Sequence, residues 1–414
     1  MRRKIVNMKS NAKPKIIVFM ILGILFTLSP IMNSNFSFIA GNNTKSLEYS
    51  DAIAFDNENL KTSKVSGKIS INGNSGWASF KATGNCTGEG TYSNPYVIED
   101  LEIVGGGSGS GISITNSDVY FKIKNCTISG FSNGISLYYT NNGTLIENNC
   151  SDNYYGLHTG FSDNNTIIGN IASDNTNSGI FLDNSTTHIV SGNDCSRNTE
   201  IGLYIQKSTN NTFLENIVFD NGWVGVYCDG NSNTISKNTV NYNTECGIYL
   251  ALCDRNVITG NTASFNEENG IRLYECHYTN ISDNSAWNNI DNGINLANSN
   301  HNTVSGNTAN NNTGSGILLS WSTDNIVSEN AAKLNLVGIT LEGSNYNTIS
   351  KNNLIGNSDC IIEIDCEGNI LQNNDCVADD GIPIEMIILI SSVSGGAVIG
   401  VTAILLIIRK RKRI

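Results

Sequence analysis

The sequence predicts an all-β chain, a parallel β-solenoid of about 11 coils with about 22–23 residues per coil. Three observations carry this. An Asn recurs once per coil at a nearly constant interval, at Asn148, Asn170, Asn193, Asn216, Asn238, Asn261, Asn284, Asn307, Asn330, Asn352 and Asn374. A second Asn follows shortly after it in nearly every unit, from Asn153, Asn175 and Asn198 through to Asn357. A Gly then opens the pattern Gly-Ile-x-Leu, at Gly134, Gly156, Gly179, Gly202, Gly225, Gly247, Gly270, Gly293, Gly316 and Gly338.

The elements follow in order along 414 residues. Residues 1–40 carry six basic residues (Arg2, Arg3, Lys4, Lys9, Lys13, Lys15) and then the apolar run Ile16–Leu28. That pattern reads as a signal peptide with Ser34 or Ala40 near the cleavage point, or as an uncleaved signal anchor. Residues 41–66 lack the repeat and read as a linker, and 67–115 as an N-terminal cap with the entry coil. Repeats fill 116–381. Met386–Ile408 is uncharged and long enough to span a bilayer as a helix, and 409–414 form a basic tail. The positive-inside rule keeps that tail in the cytoplasm and the repeats outside, a single-pass cell-membrane topology. Gly396 and Gly400 form a small-residue pair at which two such spans can pack.

Within a coil such as the one from Asn233, the apolar positions are Ile235, Val240, Ile248 and Leu250. The alternation in Gly-Ile-x-Leu is the period of a strand, with Ile and Leu inward and x outward. Three short strands per coil, separated by Asn- and Gly-rich turns, stack in parallel over a continuous core. Side chains of Asn at positions such as Asn238 and Asn243 can hydrogen-bond up and down a ladder. Gly or Asn also supplies the positive φ that tight corners need.

Composition bounds the partners. The two ends hold 11 of the 25 basic residues, leaving 14 against 37 acidic ones, a net charge of −23 between them. That argues against nucleic acid and for cations or simple solubility. Eleven cysteines leave at least one unpaired in the monomer. Cys150, Cys195 and Cys376 sit just after the first Asn, in a slot where other coils hold Ala, Val or Leu, and read as small core residues. Cys253 and Cys276 each lie the same distance after their Gly and stack on adjacent coils. The strand spacing of about 4.8 Å falls within disulfide range, so this pair is a candidate disulfide.

The coil pattern N-x-I-x-x-N-x4-N-x-x-G-I-x-L, with the opening Gly88-Glu-Gly-Thr-Tyr-Ser-Asn-Pro-Tyr-Val-Ile-Glu99, resembles right-handed parallel β-helix repeats of the NosD-like and carbohydrate-associated surface protein families. The resemblance covers roughly Gly88 to Cys376. It implies a right-handed β-helix and, on its NosD side, a copper-related role. Copper sites want clustered His, Cys or Met. The region offers His158, His188, His277 and His301 and no Met outside the two apolar ends, which disfavours copper.

Function must be sought in the outward slots. The x of Gly-Ile-x-Leu reads Ser136, His158, Phe181, Tyr204, Tyr227, Tyr249, Arg272, Asn295, Leu318 and Thr340, without a carboxylate. Glycoside hydrolysis needs two carboxylates, so catalysis is not favoured here. Phe181, Tyr204, Tyr227 and Tyr249 form an exposed aromatic ladder that is a candidate carbohydrate-binding row. Its alternative role is structural, as cross-strand pairs. Glu245, Glu268 and Asp291 stack just before successive Gly positions and are the candidate calcium ligands. Their alternative is to splay into solvent. Sequons include Asn142, Asn164 and Asn210 in one turn register, which would place any sugars of a glycoprotein along one edge, although an Asn- and Thr-rich repeat also generates such triplets by chance. The expectation is a membrane-anchored surface protein that binds carbohydrate or another envelope component. The alternatives are a polysaccharide-active lyase or hydrolase and a structural spacer.

Overall fold

A computed structural model of the chain describes residues 3–5 and 64–377. The expected signal segment beyond Arg3–Ile5, most of the expected linker, the expected membrane span and the basic tail lie outside the described residues. Among the described residues no helix is long and apolar enough to cross a membrane.

The repeats wind into a parallel β-solenoid of about 12 turns, one more than the sequence count. Each full turn lays one strand on each of two long faces. The first face is a 14-stranded sheet built from the Gly-Ile-x-Leu strands. Its coil-to-coil pairs are parallel and in register, as at Ile248 beside Ile271 and Leu250 beside Leu273, and the one antiparallel pair among its described strands is at the end. The second is a 13-stranded sheet in which Ile235 lies beside Ile258. The third face is thinner. It pairs Ile217–Phe219 with Thr239–Asn241, then continues as single bridges from Thr239 through Thr262, Ser285, Thr308, Ala331 and Asn353 to Asp375. Arg3–Ile5 lies antiparallel beside the last strand of the first face, Asp359–Ile364.

Inward residues close the core completely. Ile235, Val240, Ile248 and Leu250 are each fully buried, as are their equivalents Ile258, Ala263, Ile271 and Leu273. Burying an aliphatic side chain contributes roughly 1.5–3 kcal/mol, and this set is repeated coil after coil. Two cysteines assigned to small core slots, Cys150 and Cys195, are buried thiols there. Cys376 departs from the expectation, because it is bonded to Cys360. The reason is geometric. Cys360 stands where other coils have the Gly of Gly-Ile-x-Leu, and that position abuts the core slot that follows on the next face. A Cβ built on Gly156 would lie 2.9 Å from the Ala172 Cβ. The recurring Gly is therefore demanded by close approach. At Gly270 a Cβ would lie 2.7 Å from the Ala263 and Gly293 carbonyl oxygens and from Asn289 Nδ2.

The expected Asn ladders are present and buried. Asn238 Oδ1 accepts from the Asn216 backbone N–H and side-chain amide, both at 2.9 Å. Asn238 Nδ2 donates to the Phe213 carbonyl at 3.1 Å and to Asn261 Oδ1 at 2.9 Å. Asn243 and Asn266 repeat the scheme in a second ladder, Asn211, Asn233 and Asn256 in a third. A fourth ladder was not anticipated. Ser162, Ser185 and Ser208 each accept the N–H of the preceding rung, and Ser299, Ser322 and Ser344 do so further along. Each ladder answers one buried corner that would otherwise hold unpaired backbone groups.

The assignment of positive φ to Asn or Gly holds at corners such as Asn164, Asn184, Asn210, Asn311, Gly169, Gly192 and Gly306, but not at all of them. The left-handed residue is the one before each ladder residue, and its identity varies: Lys237 (φ 54), Tyr242 (60), Arg255 (56) and Phe265 (58) as well as Gly260 (67). Ladder hydrogen bonds on the next residue over-determine the corner, so the strain of a side chain there is tolerated.

At the N-terminal end, Lys64–Val65 pairs with Leu101–Glu102, so these residues belong to the solenoid and not to a linker. Ile69–Asn72 joins the first face and leads into the helix Gly73–Ala82. Trp77 of that helix is fully buried, stacks 5.1 Å from Tyr96, and donates Nε1–H to Ser117 Oγ at 3.0 Å. The helix shields the open end of the core, as a terminal capping unit must.

Candidate functional site

The x positions of the first face form one column: His158, Phe181, Tyr204, Tyr227, Tyr249 and Arg272 are successive register neighbours. Inward burial of the flanking Ile and Leu forces each of these side chains outward. The coil rise of about 4.8 Å is close to an aromatic stacking distance, so the rings pack on one another. Phe181 lies 4.8 Å from the His158 ring at 7° and 4.6 Å from Tyr204 at 16°. Tyr204–Tyr227 and Tyr227–Tyr249 are edge-to-face at 5.5 and 5.4 Å. Arg272 covers Tyr249 at 5.1 Å.

This corrects the expectation of an exposed ladder offering ring faces. Phe181 is buried, at 8% exposure, and the three tyrosines are half-buried. Much of each ring face is taken by its neighbours. What the column offers outward is ring edges and phenol hydroxyls. The hydroxyls of Tyr204, Tyr227 and Tyr249 are not among the buried unpaired atoms, so they face solvent.

Electrostatics keep those hydroxyls protonated. Burial pushes the Tyr204 phenol up, and the carboxylates of Asp229, Asp183 and Glu200 push it further. Burial and then Asp229 push Tyr227 up to about 12. Tyr249 is raised by burial against the opposing charge of Arg272.

Those effects point to a second outward column that the x slots do not show. Two positions after each x stand Asp183, Gln206 and Asp229, the first two in direct register. Burial raises the Asp229 carboxyl, while the Lys207 backbone N–H, which donates to Asp229 Oδ1, and the Lys207 charge oppose the rise. At the near end, burial lowers the His158 imidazole against the pull of Asp183, and His158 Nε2 is buried without a partner. At the far end, Arg272 Nε and Asn295 Oδ1 are likewise buried without partners. The signal for this column lies in the sequence, in the residues after the Leu of Gly-Ile-x-Leu, outside the slot from which carboxylates are missing.

The acids Glu245, Glu268 and Asp291 are not assembled as a calcium site. Glu245 accepts from Trp223 Nε1–H. Glu268 pairs with Arg272 at 3.8 Å and accepts from Cys246 at 3.5 Å. Asp291 is raised by burial and then by Glu268, while the Asn269 and Asn292 side chains favour its charged form. Neighbouring side chains thus answer Glu245 and Glu268, while Glu268 and Asp291 act on one another. Among the described residues no group of three or more His, Cys, Asp or Glu is placed to hold a metal ion. Two histidines serve the corners instead: Nδ1 of His188 and of His277 accept the N–H groups of Asn165 (3.2 Å) and Asn300 (3.0 Å). Cys253 and Cys276 do stack as expected, with Sγ atoms 2.7 Å apart, and both are thiols in this structure.

Comparison with known proteins addresses the fold. The family model described as right handed beta helix region matches residues 110–249 and 224–377. No curated protein matches the sequence. Among solved structures, the chain is similar to the A-module of the Azotobacter vinelandii mannuronan C-5 epimerase AlgE6 at 12% identity and a TM-score of 0.46, covering 68% of this chain and 89% of that one. It is similar to the periplasmic alginate epimerase AlgG at 14% identity and 0.32, covering 74% and 84%. Tailspike protein 3 of bacteriophage CBA120 matches at 12% and 0.45, covering 70% and 53%. At these values no residue role is transferred.

Proposed function

The chain belongs to the right-handed β-helix family, and from that premise we propose a membrane-anchored cell-surface protein whose Tyr204–Tyr227–Tyr249 face binds carbohydrate. One observation carries the reading. Three phenol O–H groups stand in one register, a coil apart, with no protein partner among the described residues. Each hydroxyl faces solvent with donor and acceptor capacity free of protein partners, and a polyol chain lying along the column would replace water on all three. Carboxylates of Asp183 and Asp229 flank the row as acceptors for sugar hydroxyls.

The test is a glycan array probed with the full-length chain in detergent. Binding to a defined set of glycans above background supports the reading, and no binding to any glycan removes it.

A specific observation favours one further reading, an enzyme acting on polysaccharide. His158, Asp183, Tyr204 and Asp229 gather on adjacent coils of the face, and burial raises the Asp229 carboxyl in the direction a general acid requires. A shortened or unsaturated product from any bound glycan, abolished by Asp229→Asn, would establish it. Intact glycan after prolonged incubation leaves binding alone.

A further inference from the structure

We propose that Cys253 and Cys276 are joined by a disulfide in the mature protein, a covalent staple between the coil that carries Tyr249 and the coil that carries Arg272. The two Sγ atoms lie 2.7 Å apart. Unbonded sulfurs do not rest that close, and a covalent bond of about 2.05 Å relieves the contact. The backbone already has the required form. Both residues occupy the same corner slot on adjacent coils, each preceded by a left-handed residue, Leu252 (φ 52) and Glu275 (φ 51). Their side chains therefore leave the corner in the same direction, one coil rise of about 4.8 Å apart, within the usual Cα range of a disulfide.

The slot itself argues the same way. Elsewhere it holds Ser185, Ser208, Ser299 and Ser322, whose hydroxyls carry the fourth ladder. A thiol is a weak acceptor and a poor substitute for that hydroxyl. Two adjacent substitutions that weaken a ladder are compensated if the pair forms a bond. The chain also holds Cys360–Cys376, so it already contains one oxidised pair.

The chemistry balances through an external disulfide, either a small-molecule disulfide or an oxidised dithiol oxidase. One cysteine thiolate attacks the external S–S bond, forms a mixed disulfide and releases one thiolate. The second thiolate attacks the mixed disulfide and releases the other. The chain loses two electrons and two protons, and the external disulfide takes up both. Cys253 is 2% exposed and Cys276 fully buried, so exchange precedes closure of these coils. Afterwards the same burial shields the bond from reductant. The staple would fix the spacing of strands Ile248–Ala251 and Ile271–Tyr274, on which Arg272 covers Tyr249.

The experiment uses the full-length chain purified without reductant and denatured in a thiol-alkylating reagent. Of eleven cysteines, nine would be labelled if Cys360–Cys376 were the sole bond, and seven if both bonds exist. The expected result is seven labels, with a cross-linked peptide containing Cys253 and Cys276. Labelled Cys253 and Cys276 overturn the proposal. The variant C253S/C276S restores serine to the ladder and is built to fold. Its label count stays at seven if the pair is bonded in the wild type, and falls from nine to seven if it is not.

Discussion

His188 occupies an Asn slot, and replacing it with Asn should abolish a pH dependence that the wild-type coil carries. The side chain is 1% exposed. Nδ1 accepts the Asn165 N–H at 3.2 Å, so the proton of the neutral ring sits on Nε2, which has no partner. Protonating Nδ1 would set a donor against a donor. Burial lowers the pKa to about 4 from 6.5, against smaller opposing contributions from Asp163 and a backbone contact at Thr186. The folded pKa lies below the unfolded one, so an opened coil takes up a proton that the closed coil refuses. Stability is therefore full above pH 6.5 and falls as pH drops towards 4. The gap between the two values is worth about 3 kcal/mol, at about 1.36 kcal/mol per pH unit. At about pH 4.5, roughly two units below the unfolded value, local opening should be favoured roughly 60-fold over pH 7. Hydrogen exchange of peptides spanning residues 160–195, corrected for intrinsic rates, reads this directly. A local probe is the right one, because long repeat arrays need not unfold in a single step. In His188→Asn the Asn amide can donate where the imidazole does not, and the acid-induced loss of protection should vanish. An equal loss in His188→Asn, or none in the wild type, would refute the reasoning.

Other expectations follow from the same contacts. Gly270→Ala places a Cβ 2.7 Å from two carbonyl oxygens and an amide nitrogen, and should cost at least the roughly 1–3 kcal/mol of overpacking. Gly260→Ala, whose nearest neighbour would be Lys237 Cγ at 3.6 Å, should cost only the left-handed penalty of about 1–2 kcal/mol, so thermal unfolding must rank the pair in that order. Asn238→Ala strips an acceptor from the Asn216 N–H and a donor from the Phe213 carbonyl, and should lower urea stability by ~3 kcal/mol, read by tryptophan fluorescence. An effect within about 0.5 kcal/mol, the range of an ordinary surface substitution, would show the ladder to be dispensable.

Much of the fold was legible because inward positions obey one rule. Ile235, Val240, Ile248 and Leu250 had to be apolar in every coil, and they lie where the period put them. The Asn ladders were legible for a related reason: a buried corner with a single geometry selects a single side chain. What escaped was whatever the corner does not select. Left-handed corners accept Lys237, Tyr242 or Phe265 beside Asn and Gly because the ladder residue holds the conformation, so Asn and Gly mark only part of them. Ser, Thr and Cys share the fourth ladder, and that mixture hid it. The Cys360–Cys376 bond depends on the Gly slot of one turn meeting the core slot that follows on the next face, a contact between faces that strand periodicity does not reveal. At the candidate site, the aromatic column was readable from spacing alone. Ring orientation was not, since it depends on how neighbouring rings share the coil rise. The Asp183–Asp229 column became visible only once the phenols between these carboxylates were placed.

The central claim is that the unpartnered phenol hydroxyls of the first face recognise sugar. It is tested most directly by titrating the full-length chain and its Tyr204→Phe/Tyr227→Phe/Tyr249→Phe variant with a glycan that binds the wild type. The variant keeps every ring and removes three oxygens. At about 0.5–1.5 kcal/mol for each hydrogen bond, affinity should fall between roughly 10-fold and 1,000-fold while the melting temperature stays unchanged. Equal affinity for the two proteins would contradict the account.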